Sequence, residues 1–182
     1  LSKFSNLTKI KNKFKEHKLK FAHNYSCLTN CVNVVGNNVR NSKNCKFCFD
    51  VVGDPSAQDC KFAFWAGYNA KGCYDIGPGG GLGVECSYEI TDTGLGSNKA
   101  LFAVMVYGSF NAIYCLNSNN CSNCFACIGL RNKQYCILNK QYSKEEYEAL
   151  VPKIIEHMNT MPYIDKKGRV YKYGEFFPAE LS

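Results

Sequence analysis

The stretch Asn44-Cys-Lys-Phe-Cys-Phe-Asp-Val-Val-Gly-Asp-Pro-Ser-Ala-Gln-Asp59-Cys-Lys-Phe-Ala-Phe64 contains the same phrase twice, 15 residues apart. In each copy a turn-forming Asn or Asp precedes Cys-Lys-Phe, and small or apolar residues fall at alternate positions of the phrase. Alternation is the period of a β-strand. A short repeat of strand plus turn indicates a solenoid, in which each turn of the chain stacks on the one before it.

Cysteines mark this phrase along most of the chain. They recur every 13 to 15 residues, the same step then reaches an alanine and another cysteine, and a shorter step of 12 reaches the last one: Cys31, Cys45, Cys60, Cys73, Cys86, Ala100, Cys115 and Cys127. We therefore predict an all-β fold, a single-stranded β-solenoid (parallel β-helix) of about eight 13–15-residue turns over residues 23–138. Since stacked strands lie ~4.8 Å apart, the rod would be roughly 38 Å long. An irregular β-sandwich or barrel with scattered cysteines is the alternative.

Both ends of the chain predict α-helices. Ser143 and Glu146 have the spacing of a capping box, and an apolar helical face follows them: Tyr147, Leu150, Val151, Ile154, Ile155 and Met158. Pro152 lies inside this run and predicts a kink or a restart of the helix. At the other end an apolar face is formed by Phe4, Leu7, Ile10 and Phe14. We expect a basic capping helix over residues 1–22 and a helical cap and tail over residues 139–182, because solenoid ends need protection.

The net charge of +7 is concentrated near the N-terminus. Residues 1–20 contain seven lysines, no arginine and one acidic residue, Glu16. Lys9, Lys11, Lys13 and Lys15 are the candidate partner-binding residues. Their segment is compatible with docking to nucleic acid, a membrane surface or an acidic protein, although arginine usually leads in phosphate and base recognition. The alternative is a solvated helix face. Protein partners are expected.

The start of the chain is polar and basic and does not resemble a signal peptide. Because residue 1 is Leu, we expect further chain upstream. No run of 18 apolar residues occurs, so we predict no transmembrane segment. Parallel stacked cysteines hold their Cβ atoms slightly too far apart for disulfides. Free buried thiols and a reducing environment, cytoplasmic or virion-associated, are therefore favoured.

The strongest metal-like spacing is Cys121-Ser-Asn-Cys124-Phe-Ala-Cys127, with Cys136 nearby. Zinc takes four tetrahedral thiolate or imidazole ligands, and these four cysteines could supply them. The alternative is that the thiols pack inside the solenoid without a cofactor, and this interpretation is favoured. An iron–sulfur cluster is disfavoured because the ferredoxin spacing would need a cysteine near Arg131.

Catalytic patterns are weak. The three histidines, His17, His23 and His157, lie in the flanking segments, away from any distinctive nucleophile. The glycine-rich stretch from Gly77 to Gly83 lacks the trailing Gly-Lys-Ser/Thr of a phosphate-binding loop. We predict no catalytic residues.

The stretch 124–148, Cys-Phe-Ala-Cys-Ile-Gly-Leu-Arg-Asn-Lys-Gln-Tyr-Cys-Ile-Leu-Asn-Lys-Gln-Tyr-Ser-Lys-Glu-Glu-Tyr-Glu, resembles the C-terminal part of cysteine-rich repeat proteins of candidate-phyla bacteria and their phages. The phrases around Cys45, Cys60 and Cys73, and Val151-Pro-Lys-Ile-Ile-Glu-His-Met, fit the same pattern. The resemblance implies a repeat region beside zinc-ribbon modules in a longer chain that continues past Ser182. This chain departs from the pattern between residues 73 and 114, where Gly, Ala and Val replace cysteines. No functional residue is carried over.

From the sequence we predict that the chain is a non-enzymatic structural or interaction module. It would be a β-solenoid scaffold in a larger protein or assembly, such as a virion or cell-surface complex. The alternative is a zinc-binding regulatory or nucleic-acid-associated module that uses Cys121, Cys124, Cys127 and Cys136. A thiol enzyme is a third, minor hypothesis.

Overall fold

The protein is described by a computed structural model that covers residues 2–21, 25–65, 69–77, 83–94 and 96–175, and all side chains there except those of residues 2–5, 54, 55 and 93. Two helices flank the strands: α1 (Ser2–Lys18) and α2 (Lys144–Thr160). The strands are β1 (Leu28–Val32), β2 (Val35–Lys43), β3 (Lys46–Gln58), β4 (Lys61–Ala63), β5 (Tyr74–Ile76), β6 (Tyr88–Gly94), β7 (Asn98–Tyr107), β8 (Phe110–Ile113), β9 (Leu116–Asn119), β10 (Ser122–Phe125), β11 (Gln134–Ile137), β12 (Lys140–Gln141), β13 (Tyr163–Ile164) and β14 (Val170–Tyr171).

The strands from β1 to β11 stack in parallel and form a β-solenoid of about eight turns, which confirms the predicted fold class. The length of a turn varies along the rod, as hydrogen bonds between stacked corner side chains show. Asn30 bonds to Asn41 across a separation of 11 in sequence, and Asn44 bonds to Asp59 across a separation of 15. In the last turns the separation settles at 12, as between Asn111 and Asn123. The regular turns are therefore shorter than predicted.

Side chains point into the solenoid at every third position, not at alternate positions as we predicted. Each inward residue of the four columns described below, except Ala57, is preceded by a residue with positive φ, such as Asn44 (φ 54°) before Cys45 and Asn123 (φ 52°) before Cys124. This left-handed conformation turns the chain at a corner, so the unit is three residues and a regular turn has four corners. Asn and Asp tolerate the conformation better than most residues, and they occupy many of the corners. The turn formers Asn30, Asn44, Asp59 and Gly72 all adopt it, as their sequence context suggests.

Inside the tube the inward residues form four columns, which together constitute the core. Column A contains Cys45, Cys60, Cys73, Ser87, Ala100, Ala112, Cys124 and Cys136. Column B contains Cys31, Ser42, Ala57, Ala70, Val84, Ser97, Ser109 and Cys121. Column C contains Cys48, Ala63, Ile76, Ile90, Ala103, Cys115 and Cys127. Column D contains Val39, Val51, Val106, Ser118 and Leu130.

The predicted single cysteine ladder is wrong in four places. Cys31 lies in column B, and both Cys115 and Cys127 lie in column C, one corner after Ala112 and Cys124. Cys86 is exposed at a corner with φ 48°, while the neighbouring Ser87 takes the inward position. Because every corner accepts a small side chain, cysteine spacing alone does not distinguish positions that differ by one corner.

At the C-terminal end, β12 pairs antiparallel with β11 and covers the edge of the last strand. Helix α2 follows and begins with the predicted capping box: Ser143 Oγ accepts the Glu146 N–H, and Glu146 Oε2 accepts the Ser143 N–H. The helix is continuous through Pro152, so it does not restart there, and the alternative of a kink stays a prediction. Pro152 is exposed, so the carbonyl that lost its amide partner can bind water.

The two helices do not act as end caps in the same way. The apolar face of α2 packs on outward residues of the last turns, Ile113, Phe125 and Ile137, and therefore lies against the side of the solenoid. In α1, the side chains of Leu7, Ile10 and Phe14 are 52%, 66% and 67% exposed, so this face is not buried as a cap requires. The side chain of Phe4 lies outside the described residues. Neither helix has the length and apolarity needed to cross a bilayer.

Candidate functional site

The four predicted metal ligands all lie inside the solenoid. Cys124 and Cys136 follow each other in column A, Cys121 lies in column B and Cys127 in column C, and all four are buried. Across the described ranges, no group of three or more His, Cys, Asp or Glu side chains is arranged to hold a metal ion. The zinc site stays a prediction.

Each inward thiol donates a hydrogen bond to the carbonyl two residues before it. The distance from Cys73 Sγ to Lys71 O is 3.1 Å and that from Cys121 Sγ to Asn119 O is 3.2 Å. Inward serines make the same bond, as Ser42 Oγ does with Arg40 O at 2.9 Å. Cysteine and serine are therefore interchangeable donors at these corners, and the bond satisfies a polar group that is buried in the tube. The larger sulfur also fills the tube as a small apolar group.

Hydrogen bonds from neighbouring thiols, followed by burial, raise the pKa values of Cys48, Cys60, Cys115 and Cys124. The pKa of Cys136 is also raised, and burial is the largest cause. A thiol must ionise to act as a nucleophile or to bind metal. These five thiols are therefore held in the neutral form, which suits packing. The same hydrogen bonds between thiols lower the pKa values of their partners Cys45, Cys73 and Cys127.

All twelve cysteines are free thiols, and only Cys27 and Cys86 are exposed. Cys31 is half-buried at the first turn. The reducing environment that the sequence favours stays a prediction.

A second feature, which we name the side face, is formed by outward residues between columns A and C. It comprises two residues per turn: Lys46 and Phe47, Lys61 and Phe62, Tyr74 and Asp75, Tyr88 and Glu89, Leu101 and Phe102, Ile113 and Tyr114, Phe125 and Ala126, Ile137 and Leu138. In the C-terminal turns α2 and Tyr173 cover it, and Phe102 is 5% exposed. In the N-terminal turns Phe47 and Phe62 are 49% and 47% exposed, and their rings stack with centroids 5.4 Å apart.

The adjoining face, between columns C and D, also exposes aromatic rings in the N-terminal turns. Phe49 and Phe64 form a bridge between neighbouring turns and are 48% and 49% exposed. Trp65 follows at 64%. The sequence shows these aromatics but not their alignment, because the alignment depends on the three-residue period.

Between α2 and the C-terminal part of the side face lies an apolar groove of about 650 Å³. Phe125, Ile128 and Met158 line its body, and His157, Lys172 and Glu175 contribute the polar groups. Tyr163 and Tyr171 of the β13–β14 hairpin complete it. Sequence reasoning missed this groove because the hairpin has only two residues per strand.

The hairpin is held by Asp165, which is buried. Its carboxylate accepts the Arg169 guanidinium Nε–H at 2.6 Å and the Tyr171 hydroxyl at 3.1 Å. Burial opposes ionisation, yet these bonds and the Arg169 backbone N–H lower the pKa of Asp165 to about 2. The carboxylate is thus a structural anchor of one wall of the groove.

The candidate partner-binding lysines, Lys9, Lys11, Lys13 and Lys15, are exposed on α1. Their binding role stays a prediction. His17 is also exposed on α1, His157 lies in α2, and His23 lies outside the described residues.

Comparison of the chain with protein-family models, with curated proteins and with solved structures finds no match. The resemblance to cysteine-rich repeat proteins of candidate-phyla bacteria therefore stays a prediction, and the β-solenoid fold is what can be stated of this chain.

Proposed function

We propose that this chain is a non-enzymatic interaction module, a rigid β-solenoid that presents aromatic faces to protein partners within a larger assembly. The supporting observation is the exposed aromatic surface on two adjoining faces of the N-terminal turns, which includes Phe47, Phe49, Phe62, Phe64 and Trp65. Soluble proteins rarely leave large apolar patches exposed unless the patch binds something, and aromatic residues dominate binding energy at interfaces.

The interior supports the same function. The tube is filled by small side chains whose donors are bonded to neighbouring carbonyls, and columns A, B and C continue through the successive described turns. Such a core gives a stiff rod whose side chains are spaced at the strand repeat. A rod of this kind holds binding residues in fixed register and needs no reactive group.

The test is site-specific photo-crosslinking in the producing cell. A photoreactive phenylalanine analogue is placed at Phe62, at Phe64 or, as the control, at the exposed Lys153 of α2. We expect discrete protein adducts from the first two positions and only background from the third. Equal background from all three, or a reproducible catalytic activity that is lost on substitution of one cysteine, would overturn the proposal.

A further inference from the structure

Bulky aromatic residues occupy corners of the side face where the backbone disfavours them. Phe47, Phe62, Phe102 and Tyr114 have φ values of 55°, 54°, 52° and 54°. Left-handed backbone is unfavourable for large L-residues, and Asn or Asp, which fill many other corners, would fit better. A residue that is unfavourable in its local backbone conformation needs a contact elsewhere that offsets this cost.

In the C-terminal turns the chain itself supplies that contact. The Phe102 ring packs against Tyr173 with centroids 5.8 Å apart and against Tyr114 at 4.9 Å. Tyr114 Oη accepts the N–H of Gly174 at 2.6 Å. Helix α2 continues the cover over the last turns. In these turns, α2 and the segment around Tyr173 bury the aromatic corners, which explains why aromatic residues are present there.

In the N-terminal turns the equivalent corners are exposed. Phe47 and Phe62 lie in the same column as Phe102, and about half of each ring is open to solvent. The Tyr88 ring contacts Phe102 with centroids 5.5 Å apart, so the exposed part of the side face runs directly into the covered part. The exposed part is thus continuous with an established helix-binding surface.

Helix α1 has the properties that this surface would bind. It has 17 residues, as α2 does, and exposes Leu7, Ile10 and Phe14 along one face. A helix of this length extends about 25 Å, or about five turns of the solenoid. Asp75 and Glu89 on the side face offer acidic partners to lysines at one end of α1, whereas Lys46 and Lys61 lie beside Phe47 and Phe62, so the contact at the aromatics is apolar.

We propose that α1 of one chain packs on the exposed side face of a second copy, so that two copies form a reciprocal dimer. The occupant is the second copy because α1 in its own chain leaves its apolar face open to solvent. In a two-fold symmetric dimer each chain gives one helix and receives one, which buries both apolar surfaces. The inference rests on the proposed interaction function and names one partner for it.

Two variants and a control test the dimer. The face variant carries Phe47→Asn and Phe62→Asn, which suit left-handed corners and should leave the fold intact. The helix variant carries Leu7→Gln, Ile10→Gln and Phe14→Gln, which keep helix propensity. The control is Met105→Asn, at an exposed corner with φ 53° outside the side face. Sedimentation velocity over a wide concentration range should show a dimer for the parent and the control, and at least about tenfold weaker association for each variant.

Mixing the two variants separates a second copy from the chain's own helix. In the mixture, the face variant still has an intact α1, and the helix variant still has an intact side face. These two surfaces can bind each other, so a heterodimer should form although neither variant dimerises alone. A monomeric parent, a control as weak as the variants, or a mixture that stays monomeric would overturn the inference. If the dimer fails while Phe62 still gives crosslinks to other proteins, the interaction function stands with a different partner.

Discussion

The N-terminal turns (residues 28–65) and the C-terminal turns (residues 96–137) share one interior and differ outside. Both have small inward residues at every third position, and apart from Ala57 these residues follow a left-handed corner. At the same corner of the side face, Phe62 is 47% exposed whereas Phe102 is 5% exposed. The inward residues thus determine the backbone, while the outward residues determine what each turn contacts. An outward residue is therefore the better guide to function in this fold.

The largest expected effect tests this difference directly. Phe102→Asn should lower the free energy of unfolding by about 3 kcal/mol, because a buried ring is lost from the packing under Tyr173. Phe62→Asn removes an exposed ring and suits its corner, so it should change stability by less than about 1 kcal/mol. Denaturant unfolding at low protein concentration measures both. Equal losses would show that both corners are packed alike and would contradict the comparison.

The second expected effect depends on pH. The pKa values of Cys48 and Cys60 in the N-terminal turns, and of Cys115, Cys124 and Cys136 in the C-terminal turns, are raised in the folded state. Above pH ~8.5 the unfolded thiols lose protons that the folded thiols keep, so stability is present at lower pH and falls as the pH rises. Each such thiol lowers the free energy of unfolding by up to about 1.4 kcal/mol per pH unit.

Denaturant midpoints measured at neutral and alkaline pH check this fall. The matched controls are Cys60→Ser and Cys124→Ser, since serine already occupies column A at Ser87 and bonds to the Glu85 carbonyl. Each control should flatten the dependence on pH. An unchanged slope in both controls would mean that the inward thiols are not the titrating groups.

Much of the fold could be predicted because its signal is local. Asn44 before Cys45 and Asp59 before Cys60 mark corners that only the immediate sequence determines, and the capping box of Ser143 and Glu146 begins α2 as expected. The three-residue period was missed because Cys-Lys-Phe-Ala-Phe at residues 60–64 also fits alternation. Burial of Ala63 and exposure of Phe62 and Phe64 decide between the two periods, and burial is not visible in sequence.

The candidate sites were harder to predict because they depend on which turns align. Whether Cys115 stacks on Ala100 or on Ala103, one corner later, changes every outward neighbour, and both corners accept a small residue. The cover on the side face likewise depends on a contact between Gly174 and Tyr114, 60 residues apart. No local pattern in the sequence encodes such a contact.

A third test concerns the amide ladders on the corners. Asn44 Nδ2 donates to Asp59 Oδ1 at 3.0 Å, and Asn44 Oδ1 accepts from Asn33 Nδ2 at 3.1 Å. Asn44→Ala loses these bonds and places a less tolerant residue at φ 54°, so we expect a loss of about 2 kcal/mol. Asn44→Gly loses only the bonds and should cost about half as much. If the two variants unfold at the same denaturant concentration, the corner conformation does not limit stability.

A fourth, smaller effect belongs to the C-terminal turns alone. The hydroxyl of Tyr147, buried between α2 and the side face, has no hydrogen-bond partner among the residues described. Tyr147→Phe removes an unsatisfied polar group, so stability should rise by about 1 kcal/mol. Tyr171→Phe is the matched control, because its hydroxyl donates to Asp165, and it should lower stability by a similar amount. A loss in both variants would indicate that Tyr147 has a partner.

The smallest expected effect is that of metal removal. It compares the inward thiols of the N-terminal turns with those of the C-terminal turns. Since no described group is arranged to hold a metal ion, a strong zinc chelator should leave the unfolding midpoint unchanged. Twelve thiols should titrate after unfolding, but only Cys27 and Cys86 should react rapidly in the native state. About one zinc per chain, together with unfolding on chelation, would instead support the predicted site at Cys121, Cys124, Cys127 and Cys136. The C-terminal thiols would then hold a cofactor while the N-terminal thiols of the same columns only pack, and the interior would no longer be common to both regions.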